Sequence, residues 1–285
     1  MRRRRTAALV LGLILGLAIA GSGTAAGSEW GRVAGPAPLP ARAIGGHSLG
    51  CLAGAEALPL DGPGYQVMRP SRQRFYGHPR LIRFVEAFAA RMRAHGWDGL
   101  LVGDLAQPRG GPMTSGHASH QTGLDVDIWF DPESRPLDAV ERERRPATSL
   151  VAADGTDVEA ERWTDGHLVL LRTAASFPEV DRIFVGAAIK ERLCRTVEGN
   201  RDWLARIRPW WGHVHHFHVR LRCPDDEAAC RDQEPLPAGD GCDASLAWWF
   251  SDEAAAELAR LRALPPRVIA LADLPPACRA VLDGS

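Results

Sequence analysis

The chain has 285 residues, of which 45% are hydrophobic and 24% are charged, so it can bury a sizeable core. These proportions exclude a disordered chain, which would be poorer in apolar residues and more strongly charged. The formal net charge of −1 at pH 7 excludes the strongly basic character typical of proteins that bind nucleic acid.

The N-terminus has the pattern of a secretory signal peptide. A basic run from Arg2 to Arg5 precedes an uncharged apolar stretch at 7–20 and small residues at 21–27. The apolar stretch is shorter than the roughly 20 residues of a membrane span, and no cysteine lies near the cleavage region. We therefore expect residues 1–26 to be removed and the mature chain to be periplasmic, with no stable membrane anchor.

The rest of the chain predicts a mixture of helices, strands and long loops. In order, we predict an irregular segment at 28–70, a helix at 79–95, strands at 98–105 and 124–130, an exposed excursion at 131–160, a helix at 164–176, a strand within 182–189, a short helix at 200–208, a strand at 213–222 and a helix at 252–263. This pattern favours an α+β fold, with helices and long loops flanking a small antiparallel sheet, over the βαβ alternation of a dinucleotide fold. We expect a single domain over 27–285.

Cysteine usage agrees with export. The even number predicts three disulfides, for which fifteen pairings are possible. Cys223 and Cys230 are close enough to clip a local loop, and no CxxC pair suggests a cysteine-based zinc site. The six cysteines are Cys51, Cys194, Cys223, Cys230, Cys242 and Cys278.

Histidines concentrate in two short clusters. Six of the ten fall in SGHASHQTGLDVD at 115–127 or HVHHFH at 213–218, the first of which also contains two aspartates. Imidazole suits Zn²⁺, and a carboxylate can complete a set of three ligands that leaves the fourth position for water. The density of these groups in an exported chain favours a zinc site over isolated structural histidines.

Strand geometry sorts the candidate ligands. Side chains alternate between the two faces of a strand, so Asp125 and Asp127 point away from the apolar face of 124–130. On the later strand, His216 and His218 share one face because they are two residues apart. Two strands can therefore present polar rows to one cleft on the sheet, with His120 contributed by the loop that enters the first strand.

Other hydrolase signatures are missing from the sequence. There is no HExxH zincin motif and no GxSxG nucleophile elbow. The only lysine, Lys190, has Ala187 three residues before it, which excludes an SxxK serine of the kind that penicillin acylates. A metal-dependent hydrolase remains.

Both clusters resemble those of the penicillin-insensitive murein endopeptidases, a zinc peptidase family related to lysostaphin-type enzymes and D-alanyl-D-alanine carboxypeptidases. The resemblance lies in SGHASHQTGLDVDIW at 115–129 and HVHHFHVRLRCP at 213–224, and extends to YGHP at 76–79. It implies zinc ligands at His120, Asp127 and His218 and cleavage of D-alanyl–meso-diaminopimelyl cross-links in peptidoglycan peptides. It also implies the pairings Cys51–Cys278, Cys194–Cys242 and Cys223–Cys230, the first of which would tie together the N- and C-terminal segments.

A base must take a proton from water and deliver it to the leaving amine, and His216 is the first candidate because it shares a strand face with His218. His213 is the second; it donates to the oxyanion or simply hydrogen-bonds to backbone. His117 is either a further metal ligand or a residue that hydrogen-bonds to one, and Asp125 orients a ligand histidine or a substrate amine. His215 is expected to face outward and be inert.

Two weaker candidates and two alternative functions accompany this interpretation. Asp154 and Asp157, in ADGTD, form a turn or hold an accessory metal, and the neighbours Trp210 and Trp211 wall the substrate groove or belong to the core. The alternatives are a zinc D,D-carboxypeptidase and a non-catalytic peptidoglycan-binding module. The sequence carries no signal for oligomeric state.

Overall fold

The computed structural model describes residues 27–97, 99–265 and 267–285 of the chain. The predicted signal peptide at 1–26 lies outside these residues. Within them the secondary structure is mixed α and β, as the sequence predicts.

The described residues contain α-helices and four short 3-10 helices. The α-helices are α1 (Gly27–Trp30), α2 (Pro79–Ala94), α3 (Ala139–Arg144), α4 (Asp165–Ala175), α5 (Ala187–Thr196), α6 (Ala244–Ala247), α7 (Asp252–Ala263) and α8 (Ala277–Asp283). The 3-10 helices are Pro70–Arg72, Asp202–Arg206, Trp248–Phe250 and Leu271–Asp273. The helices predicted at 79–95, 164–176 and 252–263 are confirmed, and the one at 200–208 is a 3-10 helix. Over these residues, no helix has both the length and the apolar character needed to cross a membrane.

Strands form one large sheet and two small ones. The strands are β1 (Arg42–Gly46), β2 (Leu49–Ala53), β3 (Glu56–Ala57), β4 (Asp61–Gly62), β5 (Tyr65–Val67), β6 (Tyr76–Gly77), β7 (Leu100–Val102), β8 (Asp125–Trp129), β9 (Val180–Val185), β10 (Ile207–Pro209) and β11 (His216–Leu221). In the described residues, the large sheet has the order β10-β9-β11-β8-β7-β5-β4, while β1 pairs with β2 and β3 with β6.

The large sheet is mixed rather than antiparallel. β5 pairs with β7 and β9 pairs with β10 in parallel, while the other neighbours are antiparallel. Parallel neighbours need a crossover connection, usually a helix, and here the crossovers contain α2 and α5. The prediction of a small antiparallel sheet is therefore wrong at these two pairs and correct at the centre, where β8 lies between β7 and β11.

The two faces of β8 carry the side chains that their alternation predicts. Leu124, Val126 and Ile128 belong to the main hydrophobic core, which also contains Phe88 of α2 and Phe217 of β11. Burying an apolar side chain of this size contributes about 1.5–3 kcal/mol, so this face fixes the strand register. Asp125 and Asp127 consequently take the opposite face.

The segment at 28–70 is not the irregular wrapping predicted from its Gly, Pro and Ala content. It contains β1 to β5, and the β1–β2 hairpin packs against the C-terminal segment in a hydrophobic cluster of its own. That cluster includes Trp30, Ile44, Leu274 and Val281. The excursion at 131–160 is likewise less exposed than expected, since it contains α3 and a buried bridge between Val151 and Val158.

All three disulfides that the resemblance implied are formed: Cys51–Cys278, Cys194–Cys242 and Cys223–Cys230. Both sulfurs of the first lie inside the cluster shared by the two terminal segments, where Cys51 and Cys278 are fully buried. The bond therefore joins segments that are 227 residues apart in the sequence.

We expect removal of Cys51–Cys278, by the double change to alanine, to lower the free energy of unfolding by about 5 kcal/mol. The reason is that the closed loop is long, and the entropy removed from the unfolded chain grows with loop length. Cys223–Cys230, with a separation of 7 residues, is the matched control and should contribute only about 2 kcal/mol. Denaturant unfolding of both variants without reductant measures this, and an equal or larger loss for the short loop would contradict it.

Candidate metal centre

β8 and β11 bring the two sequence clusters together. They pair antiparallel, with His218 opposite Asp127 and Arg220 opposite Asp125. Because paired residues project from the same face of a sheet, the register itself places imidazole and carboxylate groups side by side. The two strands therefore contribute side chains to one site, as the sequence predicts.

Asp127 is the centre of the cluster, and four histidines approach its two oxygens. His120 Nε2 and His218 Nδ1 lie 3.4 and 3.3 Å from Oδ1. His117 Nδ1 and His216 Nε2 lie 3.5 and 3.6 Å from Oδ2. Burial opposes ionisation of Asp127, yet its electrostatic contacts with His216 and His120 hold the pKa of its carboxyl well below the usual range. The group is therefore an anion at neutral pH.

Several buried polar atoms of this cluster lack a hydrogen-bond partner in the described part of the chain. They include both ring nitrogens of His120 and Oδ1 of Asp127. Buried polar atoms are almost always hydrogen-bonded to protein or to ordered water, so these atoms are available to bind a ligand such as a metal ion. His117, His120 and Asp127 form a group whose ligand atoms lie within 4.8 Å of one another and could hold a metal ion.

His120 is held in an unusual backbone conformation. Its φ is 66°, in the left-handed region, which costs a non-glycine residue about 1–2 kcal/mol. Its backbone N–H donates to Asp125 Oδ2 at 2.9 Å, and its side chain is completely buried. Strain of this kind persists where the surrounding structure fixes it and is common at functional sites.

Asp125 supports the cluster from the opposite side of His218. Its Oδ1 lies 3.2 Å from His218 Nε2 and 3.3 Å from His47 Nδ1, and Arg220 approaches both oxygens at 2.8 and 3.2 Å. Burial would raise the pKa of this carboxyl, but Arg220, His47 and His218 hold it well below its usual range. A carboxylate on the far nitrogen of an imidazole fixes the orientation of the ring, so Asp125 directs Nδ1 of His218 toward Asp127.

His117 is anchored in the same way by a second carboxylate. Asp104 Oδ2 lies 2.9 Å from His117 Nε2 and also accepts hydrogen bonds from Arg74 and Arg72, at 2.9 and 3.1 Å. Burial opposes the ionisation of Asp104, but His117 and Arg74 lower its pKa to about 2. His117 therefore presents Nδ1 to Asp127.

The two candidate catalytic histidines lie beside this cluster. The rings of His213 and His216 are 4.9 Å apart, and His213 is 5.7 Å from His218. Burial lowers the pKa of His216 to about 4 and, with repulsion from His218 and His216, that of His213 to about 3. Both rings are therefore neutral at pH 7. His213 Nδ1 lies 2.9 Å from the Trp211 carbonyl oxygen, the backbone contact considered from the sequence.

The side chain of His215 packs against the ring of His216 and does not face outward. Its Nδ1 lies 2.7 Å from Nδ1 of His216, the two rings stack with centroids 4.8 Å apart, and the residue is partly buried. The expectation of an outward-facing side chain is therefore wrong, because the chain turns at the start of β11 and brings the neighbouring rings together.

The structure does not bring Asp154 and Asp157 into a ligand cluster. Asp157 Oδ1 and Oδ2 contact Arg192 and Arg195 at 3.4 and 2.7 Å. Asp154 accepts hydrogen bonds from the backbone and side chain of Thr156, both at 3.0 Å. Among the residues the structure describes, the metal-competent group is the one around Asp127. These contacts favour the turn over the accessory metal.

Two cavities border the cluster and share part of their lining, and together they are called the cleft. One, of about 460 Å³, and the other, of about 440 Å³, are both lined by His117 and His216. Trp210 and Trp211 line the second cavity, and half of the surface of Trp210 is exposed. The two tryptophans thus line a groove. Of the two interpretations from the sequence, groove wall or core residue, this favours the groove wall.

Three residues of the site carried no assigned role from the sequence: His47, Asp104 and Arg220. His47 lies in a glycine-rich stretch and meets Asp125 only through the fold. Asp104 follows β7 and resembles any strand-terminal aspartate. Arg220 was detectable in principle, since it continues the face of His216 and His218 along β11.

A buried carboxylate surrounded by imidazoles, at the junction of two cavities on the sheet of an α+β fold, could hold a metal ion, and the match to a peptidase family profile assigns the protein to the metallopeptidases. The chain belongs to the penicillin-insensitive murein endopeptidase family, whose sequence profile matches residues 43–283.

Curated relatives agree over nearly the whole chain. The penicillin-insensitive murein endopeptidase of Klebsiella pneumoniae is 42% identical over 265 residues, which cover 93% of this chain and 94% of the relative. The protein of the same name from Escherichia coli K12 is 40% identical over 265 residues, with the same coverage. A third, from Salmonella newport, is 40% identical over 262 residues, covering 92% of this chain and 93% of the relative.

Proposed function

We propose that this chain is an exported zinc endopeptidase that hydrolyses D-alanyl–meso-diaminopimelyl cross-links of peptidoglycan in the periplasm. Residues 27–285 act as its single peptidase domain, and three disulfides are consistent with an exported chain. The observation that carries the proposal is the set of unpartnered buried atoms on His120 and Asp127, at the junction of two cavities.

The donor set fits zinc. Two imidazole nitrogens, from His120 and His218, and one carboxylate oxygen of Asp127 provide three ligands of the types that catalytic zinc sites use. His218 has a carboxylate on its other nitrogen, as metal-bound histidines usually do. Asp127 is ionised and His120 has no competing hydrogen bond within the described residues, so neither must give up a partner to bind a cation.

The cleft supplies the remaining groups for peptide hydrolysis. Zinc bound at these residues would lower the pKa of a water to about 7 and polarise the scissile carbonyl. His216 is neutral and lies next to Asp127, so its ring can accept the proton of the attacking water and return it to the leaving amine. His213 stands beside His216, while Asp125 and Asp104 keep the surrounding imidazoles oriented.

Product masses from purified cross-linked muropeptide dimers test this proposal. We expect complete conversion of a dimer to two monomers, because hydrolysis of the cross-link is the reaction proposed. Release of free D-alanine from an intact dimer would instead assign a D,D-carboxypeptidase. Binding of the dimer by the zinc-loaded protein without turnover would assign a peptidoglycan-binding module.

A parallel reaction with penicillin should give the same products at an unchanged rate. A β-lactam acts by acylating an activated serine, and the only lysine, Lys190, cannot activate one here. Its Nζ is buried and donates to the carbonyl oxygens of Leu204 and Asp240 at 2.7 and 2.5 Å. A stable penicilloyl adduct accompanied by loss of activity would contradict the proposed chemistry.

A further inference from the structure

One of the two cavities at the cluster has a basic side that the chemistry proposed above does not use. Arg69 and Arg72 face the same space as Asp127 and His216. Trp129, the residue opposite His216 in the β8–β11 pair, also lines it. A group bound in this cavity would therefore contact the arginines and the candidate catalytic residues at once.

Most arginines of the cleft already have an anionic partner. Arg72 and Arg74 contact Asp104 at 3.1 and 2.9 Å. In the second cavity, Arg220 is bonded to Asp125 and also donates to the Gln233 side chain at 2.6 Å. Each of these side chains therefore has a carboxylate at ion-pair distance, and Arg72 and Arg74 share theirs.

Arg69 is different. Within the described residues, no carboxylate lies at ion-pair distance from its guanidinium, whose carbon sits 5.3 Å from the centroid of the Trp129 ring. Its backbone is left-handed, with φ 53°, and its N–H donates to the Arg142 carbonyl oxygen at 3.0 Å. The side chain is partly buried, and burial together with repulsion from Arg72 lowers its pKa. The fold thus holds a guanidinium that has no ion-pair partner among the described residues against the cavity wall.

A partly buried cation of this kind gains most from an anion supplied by the ligand. Guanidinium binds carboxylate through two parallel hydrogen bonds, which are stronger than neutral ones and directional. The cross-link offers such a group: the amine that leaves is attached to a carbon that also carries a free carboxylate. That carboxylate is only two bonds from the scissile nitrogen, so it must lie close to the catalytic residues when the amide is in place.

We propose that Arg69 binds the carboxylate beside the scissile amide nitrogen and so selects diaminopimelyl cross-links in which this group is free. The inference rests on the proposed function, because it assigns that substrate's leaving half to the Arg69 side of the cleft. Arg69 is accordingly a specificity-determining residue, and its partner is an anionic group of the substrate.

The experiment compares two dimers, one with this carboxylate free and one with it converted to a carboxamide. For the unaltered protein we expect kcat/KM to be about 10–100-fold lower on the amidated dimer, the range for losing a hydrogen bond to a charged group. Arg69→Gln should lose about the same factor on the free-acid dimer and show almost no preference between the two. Arg69→Lys, which keeps the charge without the bidentate geometry, should retain part of the preference.

Arg83→Gln is the matched control, because it removes the same charge from an exposed position of α2 and should behave like the unaltered protein. Bound zinc and the thermal melting curve of Arg69→Gln show whether that variant is intact. Equal rates of the unaltered protein on the two dimers would overturn the inference, and this comparison needs no variant. Retention of the full preference by Arg69→Gln would overturn it as well. Failure of the unaltered protein to cleave either dimer would instead reject the proposed function.

Discussion

Replacing His120, Asp127 or His218 with alanine is expected to abolish both stoichiometric zinc and endopeptidase activity. Each residue would supply one of three protein ligands, so no redundancy remains after a single loss. The fall in rate should approach the whole rate enhancement, about 10⁶-fold or more. Treatment with a chelator should produce the same loss in the unaltered protein, and added Zn²⁺ should reverse it.

The two possible sets of three metal ligands differ in their third member, which is either His117 or His218. Nδ1 of His117 belongs to the compact group with His120 and Asp127, whereas the resemblance of the sequence assigns the third position to His218. Because His117 and His218 approach different oxygens of Asp127, their variants should behave differently. We expect His117→Ala to retain zinc and His218→Ala to lose it.

Metal content per protein after dialysis, measured with turnover of a muropeptide dimer, decides between these sets. His95→Ala is the matched control, because His95 is an exposed histidine at the C-terminal end of α2. Tightly held, stoichiometric zinc in the His218→Ala protein would reject the assignment of His218. Loss of zinc from His117→Ala alone would transfer the third position to His117.

The candidate site was more predictable from sequence than the fold around it, because it depends on strand periodicity. Side chains alternate between the two faces of a strand, which predicts the faces of Asp125, Asp127, His216 and His218. The apolar residues on the opposite face are buried, so a shift of register by one residue would expose them. His120 was also predictable, because it lies in the same short sequence cluster as Asp125 and Asp127. These placements require only that both segments be neighbouring strands.

Strand pairs and side-chain contacts that depend on tertiary structure have no comparable pattern in the sequence. The hairpin of β1 and β2 is glycine-rich and is stabilised by contacts with the C-terminal segment, so its own sequence lacks a clear strand signal. The parallel pairs depend on how α2 and α5 cross the sheet. His47 and Asp104 are isolated polar residues whose roles arise from contacts with Asp125 and His117, both formed by folding.

His216→Ala is expected to keep its zinc but to lose about 10²–10⁴-fold in kcat, the usual contribution of a general base or acid. His216 Nε2 lies 3.6 Å from Asp127 Oδ2, next to the group that would bind the metal, while its other ring nitrogen contacts His215. Alanine at this position removes the proton acceptor and leaves His120, Asp127 and His218 untouched. Zinc analysis and single-turnover rates on the same preparation measure the two effects separately.

His213→Ala supplies the comparison that identifies the base. In the neutral ring, Nδ1 of His213 donates to the Trp211 carbonyl oxygen, which leaves Nε2 as a proton acceptor. His213 can therefore donate to an oxyanion only after it gains a proton, whereas the role proposed for His216 begins with accepting one. We consequently expect a smaller loss for His213→Ala than for His216→Ala. Near-normal turnover by His216→Ala with an inactive His213→Ala would exchange the two roles, and activity in both variants would show that neither histidine is the base.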